Sequence, residues 1–155
     1  MKNLDAFTLL LTSDVWTCVY CGDPAEEWDH VVPASWTDLI PSRASNAEDR
    51  VVQSCKWCNR TLSDLALFTI PKRAEYLAIR LYKKHKRLLN GPRWFGEDDP
   101  DFWDLKNHVK GHVETEQLIR ASVELRLKHL EIISTSDLSV RQARYLKRHG
   151  PKVIE

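Results

Sequence analysis

The feature that most constrains this chain is a pair of C-x-x-C motifs, CVYC at residues 18–21 and CKWC at residues 55–58. They contain all four cysteines of the 155-residue chain. Two such pairs supply four thiolates for one tetrahedral Zn²⁺ ion, with an insertion between the two halves of the site. We therefore predict a structural zinc site. Its predicted ligands are Cys18, Cys21, Cys55 and Cys58.

Two other uses of paired cysteines fit the sequence less well. Disulfide frameworks are typical of secreted chains, but the first residues, MKNLDAFTLLLTSD, lack the apolar run of a signal peptide. A redox C-x-x-C usually accompanies a βαβ pattern, which these surroundings do not have. No apolar run approaches membrane-spanning length. We therefore expect a cytoplasmic protein with no membrane partner.

Short elements are predicted around the two motifs. EWDHVV at residues 27–32 and RVVQS at residues 50–54 have the composition of strands, and KWCNRTLSDLALF at residues 56–68 has helical spacing. Residues 34–49 have the composition of a loop. A shared zinc ion would bring the first strand close to the start of the helix.

The rest of the chain has helical patterns at residues 4–12, 72–90, 113–133 and 136–150. The helix at 113–133 has two adjoining apolar stripes, so we expect it to be well buried. One stripe contains Leu118, Ser122, Leu125, His129 and Ile132, and the other contains Ile119, Val123, Leu127 and Leu130. We predict an α+β fold with a core at residues 1–70 and a helical extension at residues 71–155.

Charge is unevenly distributed along the chain. The net charge is +1, yet residues 72–93 contain eight basic residues and one acid, Glu75. A local cationic excess suits a polyanionic partner, although a solvated helix face is the alternative. The predicted phosphate contacts are Arg73, Arg80, Lys83, Lys84, Lys86 and Arg87.

Three polar residues form a candidate catalytic group. His30 can accept a proton near neutral pH. Asp29 and Asn59 offer a carboxylate and an amide oxygen, which are ligands suited to Mg²⁺. In a regular strand, however, His30 and Asp29 point to opposite faces, so a twist or bulge would be needed to bring them together.

The pattern CVYCG…WDHVVP…RVVQSCKWCN resembles the HNH endonucleases, specifically the branch whose ββα-metal fold is braced by a four-cysteine zinc site. The resemblance covers residues 16 to about 65. It implies that His30 is the general base, that Asp29 and Asn59 bind a catalytic Mg²⁺ or Mn²⁺ ion, and that the cysteines are structural. It also implies a zinc-braced ββα-metal core followed by the mostly helical extension.

The chain departs from this family at two positions. Asp49 stands where the family commonly has an asparagine that supports the loop carrying the histidine. Arg60 is the only nearby cation for phosphate, where many relatives have a lysine after the last cysteine.

The expected function is a metal-dependent endonuclease that nicks or cuts DNA, with RNA as an alternative substrate. Two other functions stay open: a nuclease effector subunit activated by a partner, and a non-catalytic zinc module that binds nucleic acid. A second copy of the chain or a regulatory protein is the further partner expected.

Overall fold

The computed structural model describes residues 2–13, 16–32, 50–91 and 100–148, with the side chains of all but residues 2–5 and 100–113. The predicted loop at residues 34–49, with Asp49, lies outside the described residues.

The elements of the described ranges confirm the α+β class, with helix predominating. In chain order they are α1 (Lys2–Thr12), β1 (Glu27–His30), β2 (Val51–Ser54), α2 (Lys56–Leu62), α3 (Ile70–Asn90), α4 (Pro100–Ser134) and α5 (Val140–Arg148). None of the helices in these ranges is both long and apolar enough to cross a membrane.

Two helices differ in length from the predictions. α2 ends at Leu62 rather than at residue 68, because Ser63 has a left-handed φ of 44°. The Ser63 amide still donates a hydrogen bond to the Asn59 carbonyl, which closes the last turn. The helix predicted at residues 113–133 begins earlier, at Pro100, and continues through Gly111.

β1 and β2 form an antiparallel pair with a regular register. Glu27 lies opposite Ser54, and His30 lies opposite Val51, with no extra residue on either strand. Side chains therefore alternate strictly along β1. Asp29 points into the interior, whereas Trp28 and His30 are exposed on what we call the outer face of the sheet.

One hydrophobic cluster joins the two predicted units of the chain. It contains residues of the cysteine motifs, of β2, of every helix in the described ranges, and Val31 directly after β1. Members from across the chain include Leu10, Tyr20, Val52, Leu62, Leu77, Leu130 and Ala143. The helical segments thus share one core with the cysteine motifs.

Gly22 closes the first cysteine motif against α4. Its φ of 81° lies in the left-handed region, and its amide donates a hydrogen bond to the Cys18 carbonyl. A Cβ atom at this position would lie 2.8 Å from Cδ2 of His129. The turn therefore requires glycine for its backbone conformation and for its contact with α4.

Replacing Gly22 by alanine is expected to lower the free energy of unfolding by about 2 kcal/mol, through left-handed strain and overpacking. Urea denaturation measures the change. Because the steric contact is with His129, the double variant Gly22→Ala/His129→Ala should lose less stability than the sum of the two single changes. Strict additivity would contradict the packing described above.

Candidate functional site

The four cysteines converge on one buried point. Their sulfur atoms all lie within 4.8 Å of one another, and Cys21 Sγ is 3.7 Å from Cys55 Sγ. A tetrahedral zinc ion with Zn–S bonds of about 2.3 Å would separate its sulfur ligands by about 3.8 Å. The set we call the cysteine cluster, Cys18, Cys21, Cys55 and Cys58, is therefore placed to bind a single structural metal ion such as zinc.

The second cysteine motif also starts a helix. Cys55 is the N-cap of α2, and its sulfur accepts a hydrogen bond from the Cys58 amide at 3.4 Å. The first motif precedes β1 in the chain. A metal ion bound to both motifs would connect the segment that precedes β1 to the first turn of α2.

The four thiols of the cluster lie close enough together to change one another's pKa. Burial disfavours the Cys18 thiolate, but hydrogen bonds from the other three thiols outweigh burial and lower the pKa of Cys18. Hydrogen bonding with Cys18 is the main cause that raises the pKa of Cys21 and of Cys58. All four thiolates can form together only when a cation neutralises them, so metal binding and proton release are coupled.

Arg126 of α4 lies beside this cluster. Burial acts to lower the pKa of its guanidinium, but attraction to Cys21 and Asp23 outweighs burial and raises it. Arg126 forms an ion pair with Asp23 at 3.1 Å, and its guanidinium carbon lies 4.9 Å from the centre of the Trp57 ring. A zinc ion with four thiolates has a net charge of about −2, which this cation partly offsets.

Asp29 forms a buried ion pair with Arg73 of α3. Arg73 Nη2 lies 2.7 Å from Asp29 Oδ1, and Arg73 Nε lies 3.0 Å from Asp29 Oδ2. The Tyr20 hydroxyl donates to Oδ2 at 2.5 Å. The aspartate is only 1% exposed and the arginine 0%. Both carboxylate oxygens are therefore engaged by protein donors.

Asn59 has a different partner. Its Nδ2 donates a hydrogen bond to Glu27 Oε2 at 2.6 Å. Asp29 and Asn59 thus face Arg73 and Glu27 respectively, and they do not form a shared set of free oxygen ligands. The Asn59 hydrogen bond uses Nδ2 and not the amide oxygen predicted to bind the cation, whereas the Asp29 carboxylate is already engaged, so the catalytic Mg²⁺ or Mn²⁺ site stays a prediction.

The interior position of Arg73 corrects a second prediction. The basic pattern of residues 72–93 suggested a phosphate contact at Arg73, but its side chain is fully buried. Its Nη1 donates to the carbonyls of Val31 and Leu67 at 3.3 and 2.8 Å. Arg73 connects α3 to β1 and cannot reach a phosphate, so the predicted contact is wrong.

The remaining predicted cations are exposed. This group comprises Arg60 on α2 and Arg80, Lys83, Lys84, Lys86 and Arg87 on α3. Lys84 Nζ lies 5.8 Å from the centre of the Trp57 ring. α3 bends within this basic segment at His85, whose φ of −110° and ψ of 17° are not helical.

His30 lies on the outer face of the sheet, near a cation that the sequence patterns did not single out. Arg144 of α5 donates through Nη1 to the Val51 carbonyl at 3.2 Å, and Val51 is the strand partner of His30. The Arg144 guanidinium carbon also lies 5.7 Å from the centre of the Trp28 ring. The outer face therefore combines an exposed imidazole, an aromatic ring and a guanidinium.

The sequence predicted a helix around Arg144 but gave no reason to single out Arg144 among the basic residues of the chain. α5 is amphipathic, and Ser139 and Gln142 cap it reciprocally: the Gln142 amide donates to Ser139 Oγ at 3.1 Å, and the Ser139 amide donates to Gln142 Oε1 at 3.0 Å. The helical spacing was visible, but the packing of α5 on β2 was not.

Removing one ligand from the cysteine cluster should release the metal and destabilise the fold. We expect the purified chain to contain one zinc ion per molecule by elemental analysis. Cys58→Ser should contain no bound zinc, and its Tm should be lower by about 10 °C or more, because structural zinc contributes several kcal/mol to folding. Lys56→Ala, an exposed change nearby, is the control. Equal Tm values for both variants, with no zinc in the wild type, would contradict a structural metal site.

Breaking the Asp29–Arg73 pair should be costly because the remaining charge stays buried. Arg73→Ala is expected to lower the free energy of unfolding by about 3–5 kcal/mol. The double variant Asp29→Ala/Arg73→Ala should cost less than the two single changes added together.

The exposed ion pair between Lys56 and Glu26, at 2.8 Å, provides the matched comparison. Both side chains are more than half exposed, and Lys56→Ala should cost less than about 1 kcal/mol. Chemical denaturation measures the free energy of unfolding of Lys56→Ala and of Arg73→Ala. If both variants lost a similar amount, the structural role assigned to Arg73 would be refuted.

Comparisons with protein-family models, with curated proteins and with solved structures found no match to this chain. The similarity to HNH endonucleases therefore rests on the residues of the cysteine motifs, Asp29, His30 and Asn59, and stays a prediction.

Proposed function

We propose that this chain is an endonuclease that hydrolyses phosphodiester bonds in DNA, with His30 as its general base. The observation that carries the proposal is the exposed position of His30 on β1, beside Trp28 and Arg144 and between the two motifs of the cysteine cluster. An imidazole near a guanidinium combines a proton acceptor with a phosphate-binding cation.

The mechanism follows from the chemistry of these groups. A water molecule attacks phosphorus in line with the departing 3′ oxygen, the His30 imidazole accepts a proton of that water, and the departing 3′ oxygen takes a proton from the solvent. Negative charge grows on the phosphate oxygens as the bond forms, and the Arg144 guanidinium is the nearby group that can offset it. The products have 5′-phosphate and 3′-hydroxyl ends.

Asp29 supports this site from inside the protein. Its strand neighbour His30 must keep a defined position, and the Asp29–Arg73 pair anchors β1 to α3 from the opposite face. The cysteine cluster restrains the chain before β1 and after β2. In this proposal Asp29 is a positioning residue, and no catalytic step depends on its carboxylate.

Binding of the DNA backbone is assigned to the exposed cations of α3. Those from Arg80 to Arg87 extend over about two helical turns, a length that matches contacts with several phosphates. Contacts of this kind position the duplex and do not select a sequence. We therefore expect binding that weakens steeply as salt is added.

His30→Ala is the change that tests the proposed base. Incubation with supercoiled plasmid in Mg²⁺, in Mn²⁺ and without either cation, followed by gel analysis, measures the rate of nicking and linearisation. We expect the variant to lose at least about a hundredfold in cleavage rate, the usual contribution of a general base. The ring of His30 is exposed, so the circular dichroism spectrum and Tm should stay those of the wild type.

Glu131→Ala is the control, because it removes an exposed side chain of α4 that has no role in the proposed chemistry or in the proposed DNA contacts. It should cleave like the wild type. Equal cleavage by the wild type and His30→Ala would overturn the proposal, whereas the dependence on added cation separately measures whether a metal ion takes part.

A non-catalytic zinc module that binds nucleic acid is the second candidate. The engagement of both Asp29 oxygens by Arg73 and Tyr20 favours it, because this buried carboxylate is the charged ligand that the prediction assigned to a catalytic cation. This function predicts salt-dependent DNA binding that His30→Ala leaves unchanged, together with no cleavage by any variant.

A further inference from the structure

α4 exposes two large apolar side chains beside a face that is already buried. Val123, Leu130 and Ile133 lie in the core. By contrast, 73% of the Leu118 surface and 68% of the Leu125 surface are accessible. The expectation that this helix is well buried is therefore wrong at Leu118 and Leu125. Neighbouring exposed leucines on a rigid helix indicate a surface that a partner covers.

The exposed leucines belong to a regular pattern. Leu118, Ser122, Leu125, His129 and Ile132 form what we call the α4 stripe, with alternating steps of four and three residues. This spacing is that of the seam between two packed helices. A groove of about 630 Å³ runs along the stripe, and it is also lined by Leu9 of α1 and by Gly22 and Asp23, which directly follow the first cysteine motif.

We propose that the exposed part of the α4 stripe, from Leu118 to Leu125, is a dimer interface, and that its occupant is the α4 helix of a second copy of this chain packed antiparallel to the first. A two-fold axis between Ala121 and Ser122 places Leu118 of each copy at the level of Leu125 of the other. The seven-residue separation, about 10.5 Å along the helix, gives two leucine layers symmetric about the axis.

The centre of the stripe permits the close approach that such packing needs. Ala121 and Ser122 are both exposed, and both have small side chains. Ala121 of each copy would lie at the level of Ser122 of the other. Small residues at the crossing point allow the leucine side chains on both sides of it to interdigitate.

Charges on one flank of the stripe are complementary under the same symmetry. Glu114 and Lys128 lie on the same side of the helix as Ala121, near opposite ends of the stripe, and both are exposed. A two-fold axis between Ala121 and Ser122 brings Glu114 of one copy to within one residue, about 1.5 Å along the axis, of the level of Lys128 in the other. The antiparallel pair therefore forms two ion pairs. In a parallel pair the two Glu114 side chains would lie on opposite flanks of the seam, and each would be about 21 Å along the axis from the level of Lys128, so neither ion pair could form.

Self-complementarity of this kind favours a second copy over an unrelated partner. One exposed side of α4 supplies both leucine layers, both small residues and both signs of charge, as an isologous interface requires. The inference does not rest on the proposed nuclease activity. A dimer would still bring two copies of the outer face, each with its His30, into one particle.

Analytical ultracentrifugation of the full chain tests the interface. Over protein concentrations from about 1 to about 200 µM, we expect a reversible monomer–dimer equilibrium in the micromolar range, as a small interface implies. The variant Leu118→Glu/Leu125→Glu should raise the dissociation constant at least about tenfold. Ile79→Glu, at an exposed apolar residue of α3 outside the stripe, is the control and should dimerise like the wild type.

A charge reversal tests the antiparallel arrangement. Lys128→Glu places like charges opposite Glu114 and should weaken dimerisation severalfold, and the double variant Glu114→Lys/Lys128→Glu should restore it. Restored dimerisation in that variant supports the proposed register, and failure to restore it overturns the register. A chain that stays monomeric at every concentration, or a dimer unaffected by the leucine substitutions, overturns the interface itself.

Discussion

The ion pair between Asp29 and Arg73 is the interaction on which the arrangement of this molecule depends. It joins β1, which lies between the cysteine motifs, to α3, which begins the helical half of the chain. Burying two charges is expensive unless every donor and acceptor finds a partner. Here Tyr20 and the carbonyls of Val31 and Leu67 complete the set, so the pair specifies one docking geometry for α3.

This use of Asp29 changes the chemistry available to the site. Three donors from a guanidinium and a phenol occupy most of the lone-pair sites of this carboxylate, and the side chain is buried, so its charge is already offset inside the protein. His30, one residue later, is turned to the other side of the sheet because the register of β1 and β2 is regular. The interior face of the strand therefore provides anchoring, and the outer face, where Arg144 and Trp28 lie, provides the groups that a phosphate could meet.

Local patterns predicted much of the fold. The cysteine spacing predicted a cluster that the structure brings together, and the alternating and helical periods located both strands and most helices to within a few residues. The end of α2 was missed because it depends on the backbone conformation of Ser63. The burial of α4 was overestimated because its apolar side chains extend around more of the helix than the elements packed against it cover.

The sequence by itself determined which residues could act as metal ligands, bases and cations, since these are properties of side-chain type and spacing. It could not determine which partner each side chain would find. Arg73 and Arg80 belong to the same basic helix, yet the first is buried against Asp29 and the second is exposed. Only the tertiary structure decided this, because the orientation of α3 against β1 sets which basic residues face the interior, and because a buried charge requires an opposite charge close to it.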